Sequence, residues 1–167
     1  MLSENLFPAI VASGANSAIP HHVSGQTLIS PGVLLLDMGH TVDGYCSDFT
    51  RTLRVEGPEE NKTQKAEFER MLAIVRAAQR SAIDMVQPGI GAGEIDRAAR
   101  EYIAQTGYGE FFSHSTGHGV GLAIHELPHV SASVDTMLES GMVITVEPGI
   151  YLPGEFGVRR EDIVIVE

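Results

Sequence analysis

The chain has 167 residues, 43% of them hydrophobic and 20% charged, enough for one domain with a real core. Its formal net charge of −11 disfavours nucleic acid and anionic membrane as partners, because both repel an acidic surface. No apolar run approaches the roughly 18 residues that a membrane span needs, no basic-then-apolar leader opens the chain, and Cys46 has no second cysteine to pair with. Together these predict a soluble protein of a reducing cytoplasm.

In chain order, residues 1–20 read as a short strand plus loop. Residues 33–37 (Val-Leu-Leu-Leu-Asp) and 45–55 read as strands joined across His40-Thr-Val-Asp-Gly44, where Asp-Gly is a hairpin signal. Pro58 and Asn61 mark a break. Over 63–86, Phe68, Met71, Leu72, Val75, Ala78, Ala82 and Val86 recur at helical spacing, and Pro88-Gly89 ends the segment. A shorter helix is predicted over 93–105, using Ile95, Ala98, Ala99, Tyr102 and Ile103, closed at Gly107. The remainder reads as strand and loop punctuated by glycine, ending in a strand over 162–166. Strands, two helices and strands again predict an α+β domain occupying the whole chain.

Five residues stand out: Asp37, Asp48, His118, Glu147 and Glu161. Singly, each has a plain structural explanation. Asp37 could cap a strand, Asp48 could pair with Arg51, and Glu161 with Arg159 or Arg160. Together those explanations weaken, because an acid ending an apolar strand is expensive to bury unless it is paired or holds a metal. That pattern occurs at both Asp37 and Glu147. In a hairpin turning near Val42-Asp43, Asp37 and Asp48 are approximate cross-strand neighbours able to face one side. Four carboxylates and one imidazole in one cavity would repel without cations. Oxygen-rich ligation with one nitrogen suits Mn²⁺, Co²⁺ or Zn²⁺, and four carboxylates suffice to bridge two ions.

Leu36-Asp-Met-Gly39, Gly44-Tyr-Cys-Ser-Asp-Phe-Thr-Arg-Thr52, His114-Ser-Thr-Gly-His-Gly-Val-Gly-Leu122, His125-Glu-Leu-Pro128, Val146-Glu-Pro-Gly-Ile-Tyr151 and Gly157-Val-Arg-Arg-Glu-Asp162 resemble, all in order, the pita-bread metallopeptidases. Ser47-Asp-Phe-Thr-Arg-Thr52 is similar to the prolidase and aminopeptidase P branch. The resemblance implies two divalent metal ions, manganese first, with cobalt or zinc as alternatives. Asp37 would bind one ion bidentately, Asp48 and Glu161 would bridge both, and His118 with Glu147 would complete the second. It implies hydrolysis of the bond preceding proline by a hydroxide between the ions, with Glu147 carrying its proton. Thr50 and Thr145 would orient the carboxylates.

The same resemblance implies that His125 holds the substrate carbonyl or the tetrahedral intermediate, and that His21, with His22 as the alternative, binds substrate. His114 would line the pocket, and Arg159 would contact substrate or backbone, or form an ion pair. His40 and His129 are expected at the surface. The substrate would be a proline-containing peptide, a dipeptide for a prolidase or a longer one for an aminopeptidase P. The alternatives are a non-catalytic binding protein on this fold and a related hydrolase of a small C–N substrate. The resemblance also implies two helices and a strand ahead of Ala12-Ser-Gly14, as well as helices over both halves of the sheet. Residues 62–107 supply one half's helices, so the fold is expected to be incomplete. A homo-oligomer or companion chain is expected to cover the exposed sheet face.

Overall fold

The computed structural model describes residues 3–57 and 62–167; the break expected at Pro58 and Asn61 lies outside them. The chain opens with β1 (Ser3–Asn5) and β2 (Ile10–Ser13), then a 3-10 turn at Gly14–Ala18. The strand expected over 33–37 is β3 (Gly32–Met38). The segment expected as one strand over 45–55 is broken: β4 (His40–Val42) and β5 (Tyr45–Cys46) form a small hairpin, and β6 (Phe49–Val55) follows after Ser47-Asp48. Asp43 and Gly44 both have positive φ, 51° and 88°, the mirror-image turn that Asp-Gly favours.

Helix α1 (Lys62–Ile83) ends three residues short of the expected 86, and α2 (Ala92–Gln105) begins one residue early. The predicted stripe of α1 is buried from Phe68 to Ala82. On α2 the buried stripe is Ala92, Ile95, Ala99 and Ile103. Tyr102, expected on that face, is 38% exposed, because the stripe steps through 95, 99 and 103 and leaves position 102 on its flank. Gly107, with φ 89°, turns the chain out of the helix. After a 3-10 turn at Gly109–Phe111 come β7 (Gly117–Gly119), β8 (Glu126–Val130), β9 (Val143–Val146), β10 (Gly149–Leu152), β11 (Phe156–Arg159) and β12 (Asp162–Ile165).

All strand pairing is antiparallel, in sheets ordered β1-β4-β5, β2-β3-β6, β12-β9-β7-β8 and β10-β11. The helices pack on each other and on the C-terminal strands, around Phe68, Met71, Val75, Ile95, Ile103, Ile144, Ile150 and Phe156. Among the described residues no helix is long and apolar enough to cross a membrane. Strand alternation puts Val33, Leu35 and Asp37 on one face of β3 and Leu34, Leu36 and Met38 on the other. On that reverse face Leu34 is buried, Leu36, Met38 and Phe49 are half-buried and Leu53 is 40% exposed, and none belongs to the cluster the helices cover.

Phe156 is fully buried with its ring centroid 6.5 Å from that of Phe68, the contact that seats α1 on β11. Phe156→Ala is expected to lower unfolding free energy by about 3–5 kcal/mol, measured by chemical denaturation.

Candidate metal centre

The front face of β2-β3-β6 meets the C-terminal strands across a cavity of about 450 Å³. Its walls include His21, Asp37, Asp48, His114, His118, His125, Glu147, Arg159 and Glu161. Every site residue anticipated from the sequence therefore faces one space, although they come from both ends of the chain, residues 21–48 and 114–161. Asp37 sits near the end of β3 and pairs across the ladder with Thr50 rather than with Asp48. Asp48 precedes β6 by one residue and is two positions from Thr50, which puts the two acids on one side. Glu147 follows β9, and Glu161 lies between β11 and β12.

His118 is the middle residue of β7, flanked by glycines for a steric reason. A Cβ at Gly117 would strike the Thr145 carbonyl, and one at Gly119 the Leu127 carbonyl. Only glycine lets β7 lie this close to its neighbours. The backbone N–H of His118 donates to Thr145 Oγ1 at 3.1 Å. With its Nδ1 2.9 Å from the Gly119 carbonyl, the neutral ring keeps that proton as donor and turns a bare Nε2 to the cavity. Nε2 lies 3.5 Å from Glu147 Oε1 and 3.7 Å from Asp48 Oδ2. Asp48, His118 and Glu161 offer ligand atoms all within 4.8 Å of one another.

Hydroxyls hold the acids in place. Thr50 Oγ1 donates to Glu161 Oε2 at 2.6 Å, and Thr145 Oγ1 lies 3.3 Å from Glu147 Oε1. The ion pairs that would have explained these acids structurally do not form. Arg51 instead pairs with Asp162 at 2.5 Å, and Glu161 is held by Thr50 rather than by Arg159 or Arg160. Arg159, 3% exposed, donates to Asp37 Oδ2 at 2.5 Å, to Tyr151 Oη at 2.9 Å, to Thr50 Oγ1 at 3.1 Å and to the Pro20 carbonyl at 3.1 Å. Two carboxylate oxygens, Asp37 Oδ1 and Asp48 Oδ1, are buried with no hydrogen-bond partner. A buried anionic oxygen in that state is destabilising unless a cation meets it, so this donor set fits divalent metal.

Burial first, and charge crowding second, shift the protonation of the cluster. Burial, then the neighbouring Asp37, raises the Asp48 pKa to about 7. Burial raises Glu147 to about 8, with Asp48 and Asp37 adding to the effect and Arg159 opposing it. Glu161 is raised well above its ordinary value by burial and by Glu147 and Asp48. His118 is lowered by burial and by the nearby imidazoles of His125 and His129, which keeps its Nε2 available as a lone pair.

The remaining histidines divide. His21 lines the cavity from an exposed position, whereas His22 does not line it. The His125 ring stands edge-on to His118, centroids 4.4 Å apart. Both nitrogens of His114 are engaged, Nδ1 by the Ser115 carbonyl and Nε2 by Tyr151 Oη, each at 2.7 Å. Burial lowers its pKa to about 4, so it is a neutral wall. His129, expected at the surface, is exposed yet lines the cavity, and His40, also expected there, is half-buried beside Ser47. Sequence reasoning missed Tyr151, which links Arg159 to His114; its signal was its place in Val146-Glu-Pro-Gly-Ile-Tyr151. It also missed the apolar wall of Phe7, Ile10 and Ile124, which no local pattern marks.

With fold and cavity in place, comparison with known proteins is direct. The chain belongs to metallopeptidase family M24, whose model it matches over residues 2–167. It is 48% identical over 161 residues to the Xaa-Pro dipeptidase of Pyrococcus horikoshii, covering 96% of this chain and 44% of that protein. The prolidase from Thermococcus sibiricus superposes with a TM-score of 0.92 at 44% identity, over 99% of this chain and 44% of that one. The X-Pro aminopeptidase from Thermotoga maritima gives 0.91 at 40% identity, over 99% and 46%. The fold is thus the α+β pita-bread fold, present in part, and the chain spans a little under half the length of these relatives. Membership of a metallopeptidase family carries the expectation of divalent metal, and Asp48, His118 and Glu161 are a group able to hold it.

In the unfolded chain these carboxyls ionise near about 4, whereas in the metal-free fold Asp48 and Glu147 keep their protons to about 7 and about 8. The folded state binds more protons across that window, so stability falls as pH rises through it. The metal-free protein is expected to melt at progressively lower temperature from about pH 5 to about pH 8, and saturating Mn²⁺ is expected to remove most of that decline. Calorimetry at several pH values, with and without metal, checks this.

Proposed function

We propose that this chain carries the active site of a metal-dependent peptidase that cleaves the bond preceding proline. Its substrate would be an Xaa-Pro dipeptide or a longer peptide with proline second, and the chain would act as one partial catalytic domain. The observation that carries this reading is the convergence of four carboxylates and one bare imidazole nitrogen on a single cavity, with Asp37 Oδ1 and Asp48 Oδ1 lacking any partner.

In this reading Asp37, Asp48, His118, Glu147 and Glu161 hold two divalent ions, manganese by preference and cobalt or zinc as alternatives. When bound, the ions lower the pKa of a water and polarise the scissile carbonyl. Glu147, steadied by Thr145, takes the proton of the attacking water and passes it to the proline nitrogen as the bond breaks. His125 and His21, on the cavity wall, donate to the substrate carbonyl and to the charge that develops on it. Arg159, engaged by Asp37 and Tyr151, orients Asp37 and offsets its charge. His114 shapes the wall that the substrate's proline side meets. The half-exposed reverse face of Leu36, Met38, Phe49 and Leu53 supports a second copy or a companion chain packed against it.

Metal analysis of the purified chain, with turnover of Xaa-Pro dipeptides and an Xaa-Pro-Pro tripeptide, tests the assignment. Two bound ions with cleavage are expected. Metal without cleavage would favour a C–N hydrolase of another substrate, and no metal would leave a binding protein on this fold. Glu147→Gln is expected to lower kcat by about 10²–10⁴-fold with little change in KM. Light scattering is expected to give a mass above that of one 17.9 kDa chain; a stable monomer would exclude the partner.

A further inference from the structure

Helix α2 carries a charge pair, Asp96 buried and Arg100 half-buried, that none of the roles above uses. Asp96 is fully buried and accepts from Arg100 through both oxygens, Oδ2 from Nε and Oδ1 from Nη2, each at 2.9 Å. Bidentate geometry of this kind fixes the orientation of both partners. The pair turns outward from the helix to the segment that leads into β7. Asp96 Oδ1 also accepts from the Thr116 N–H at 3.0 Å and from Thr116 Oγ1 at 2.8 Å. Arg100 donates to the Phe112 carbonyl at 3.0 Å and to the His114 carbonyl at 2.8 Å, with its guanidinium 4.3 Å over the Phe112 ring.

What this fastening controls follows from the backbone. Thr116 is fully buried, and its carbonyl accepts the N–H of Glu147 at 2.7 Å. Two residues further on stands His118. A single residue gripped by Asp96 therefore docks the backbone of one candidate ligand and leads straight into another. An isolated helical Asp–Arg pair four residues apart contributes a few tenths of a kcal/mol to helix stability, and desolvating the Asp96 carboxylate to make it costs free energy. Helix stability alone does not account for the contacts to Thr116, whereas control of ligand position does.

We propose that Asp96, Arg100 and Thr116 form a positioning clamp by which helix α2 sets the separation of His118 and Glu147, and so the affinity of the ion those two residues share. This rests on the two-ion reading of the cavity. Residues that orient metal ligands change affinity by about 10–100-fold when lost, and the clamp belongs to that class because it holds the backbone beside His118 and Glu147.

The test uses the full chain and Co²⁺ or Mn²⁺ alone, titrated by calorimetry with the visible Co²⁺ spectrum as a second readout. Thr116→Val keeps the backbone contacts and the shape but removes the hydroxyl donor. It is expected to weaken the looser of two sites about tenfold while leaving the tighter site and the metal-free melting temperature near the unmodified values. Thr116→Ser is expected to restore the affinity, and Arg100→Lys, which loses the fork, to reproduce the defect. Two sites in the unmodified chain with unchanged affinity in both Thr116→Val and Arg100→Lys would overturn the clamp alone. So would an affinity loss that Thr116→Ser fails to rescue, or one that only tracks metal-free unfolding. No metal uptake by the unmodified chain would overturn the two-ion reading and the clamp with it.

Discussion

Mutual repulsion among Asp37, Asp48, Glu147 and Glu161 is the constraint around which the molecule is arranged. These acids come from four separate places in the chain and meet in one partly buried cavity, where a low effective dielectric magnifies each charge. Without a metal ion the conflict is relieved in two ways: Arg159 supplies a guanidinium to Asp37, and burial pushes the carboxyls of Asp48, Glu147 and Glu161 toward their neutral forms. Neither measure reaches Asp37 Oδ1 or Asp48 Oδ1. Divalent cations would satisfy both oxygens at once, which is why the family assignment and the electrostatics lead to the same chemistry.

The scaffold is organised to hold that tension. Short antiparallel strands place the candidate ligands, His118 within β7 and the four acids at or next to strand ends, where the backbone is held rigidly enough to aim a single side chain. Thr50 and Thr145 each serve two functions. One bonds Glu161 and receives Arg159, and the other approaches Glu147 while accepting from the backbone of His118. Arg159 continues the network through Tyr151 to His114. The cavity wall is therefore a connected set of hydrogen bonds, and a disturbance at one ligand is felt at others. The two helices contribute from behind, one through the apolar contact of Phe68 with Phe156 and the other through the charged contact of Asp96 with Thr116.

Much of the site was legible in the sequence because its residues sit in short motifs where an acid or imidazole interrupts an apolar or glycine-rich run. Asp37 after three leucines, Glu147 after Val-Ile-Thr-Val and His118 between glycines are out of keeping with ordinary strands. Asp96 and Arg100 were not legible. An Asp and an Arg four residues apart on a helix look like a solvated surface pair, and only the fold reveals that Asp96 is buried and that both bond to the loop behind the cavity. Tyr151 was hidden for a related reason, since its value lies in contacts with His114 and Arg159.

Local information determined the helices, the Asp-Gly turn, the strand carrying Asp37 and the identity of the acids, because periodicity, turn chemistry and the cost of burying charge all act over a few residues. The tertiary structure alone decided which acid faces which. It broke the expected strand at Ser47-Asp48, paired Asp37 with Thr50, gave Arg159 to Asp37 rather than Glu161, and engaged both nitrogens of His114. Those outcomes depend on register and on contacts between residues more than a hundred positions apart, such as Thr50 with Glu161 and Asp37 with Arg159. Distances of that kind are set by how the sheets pack, and no local pattern encodes them.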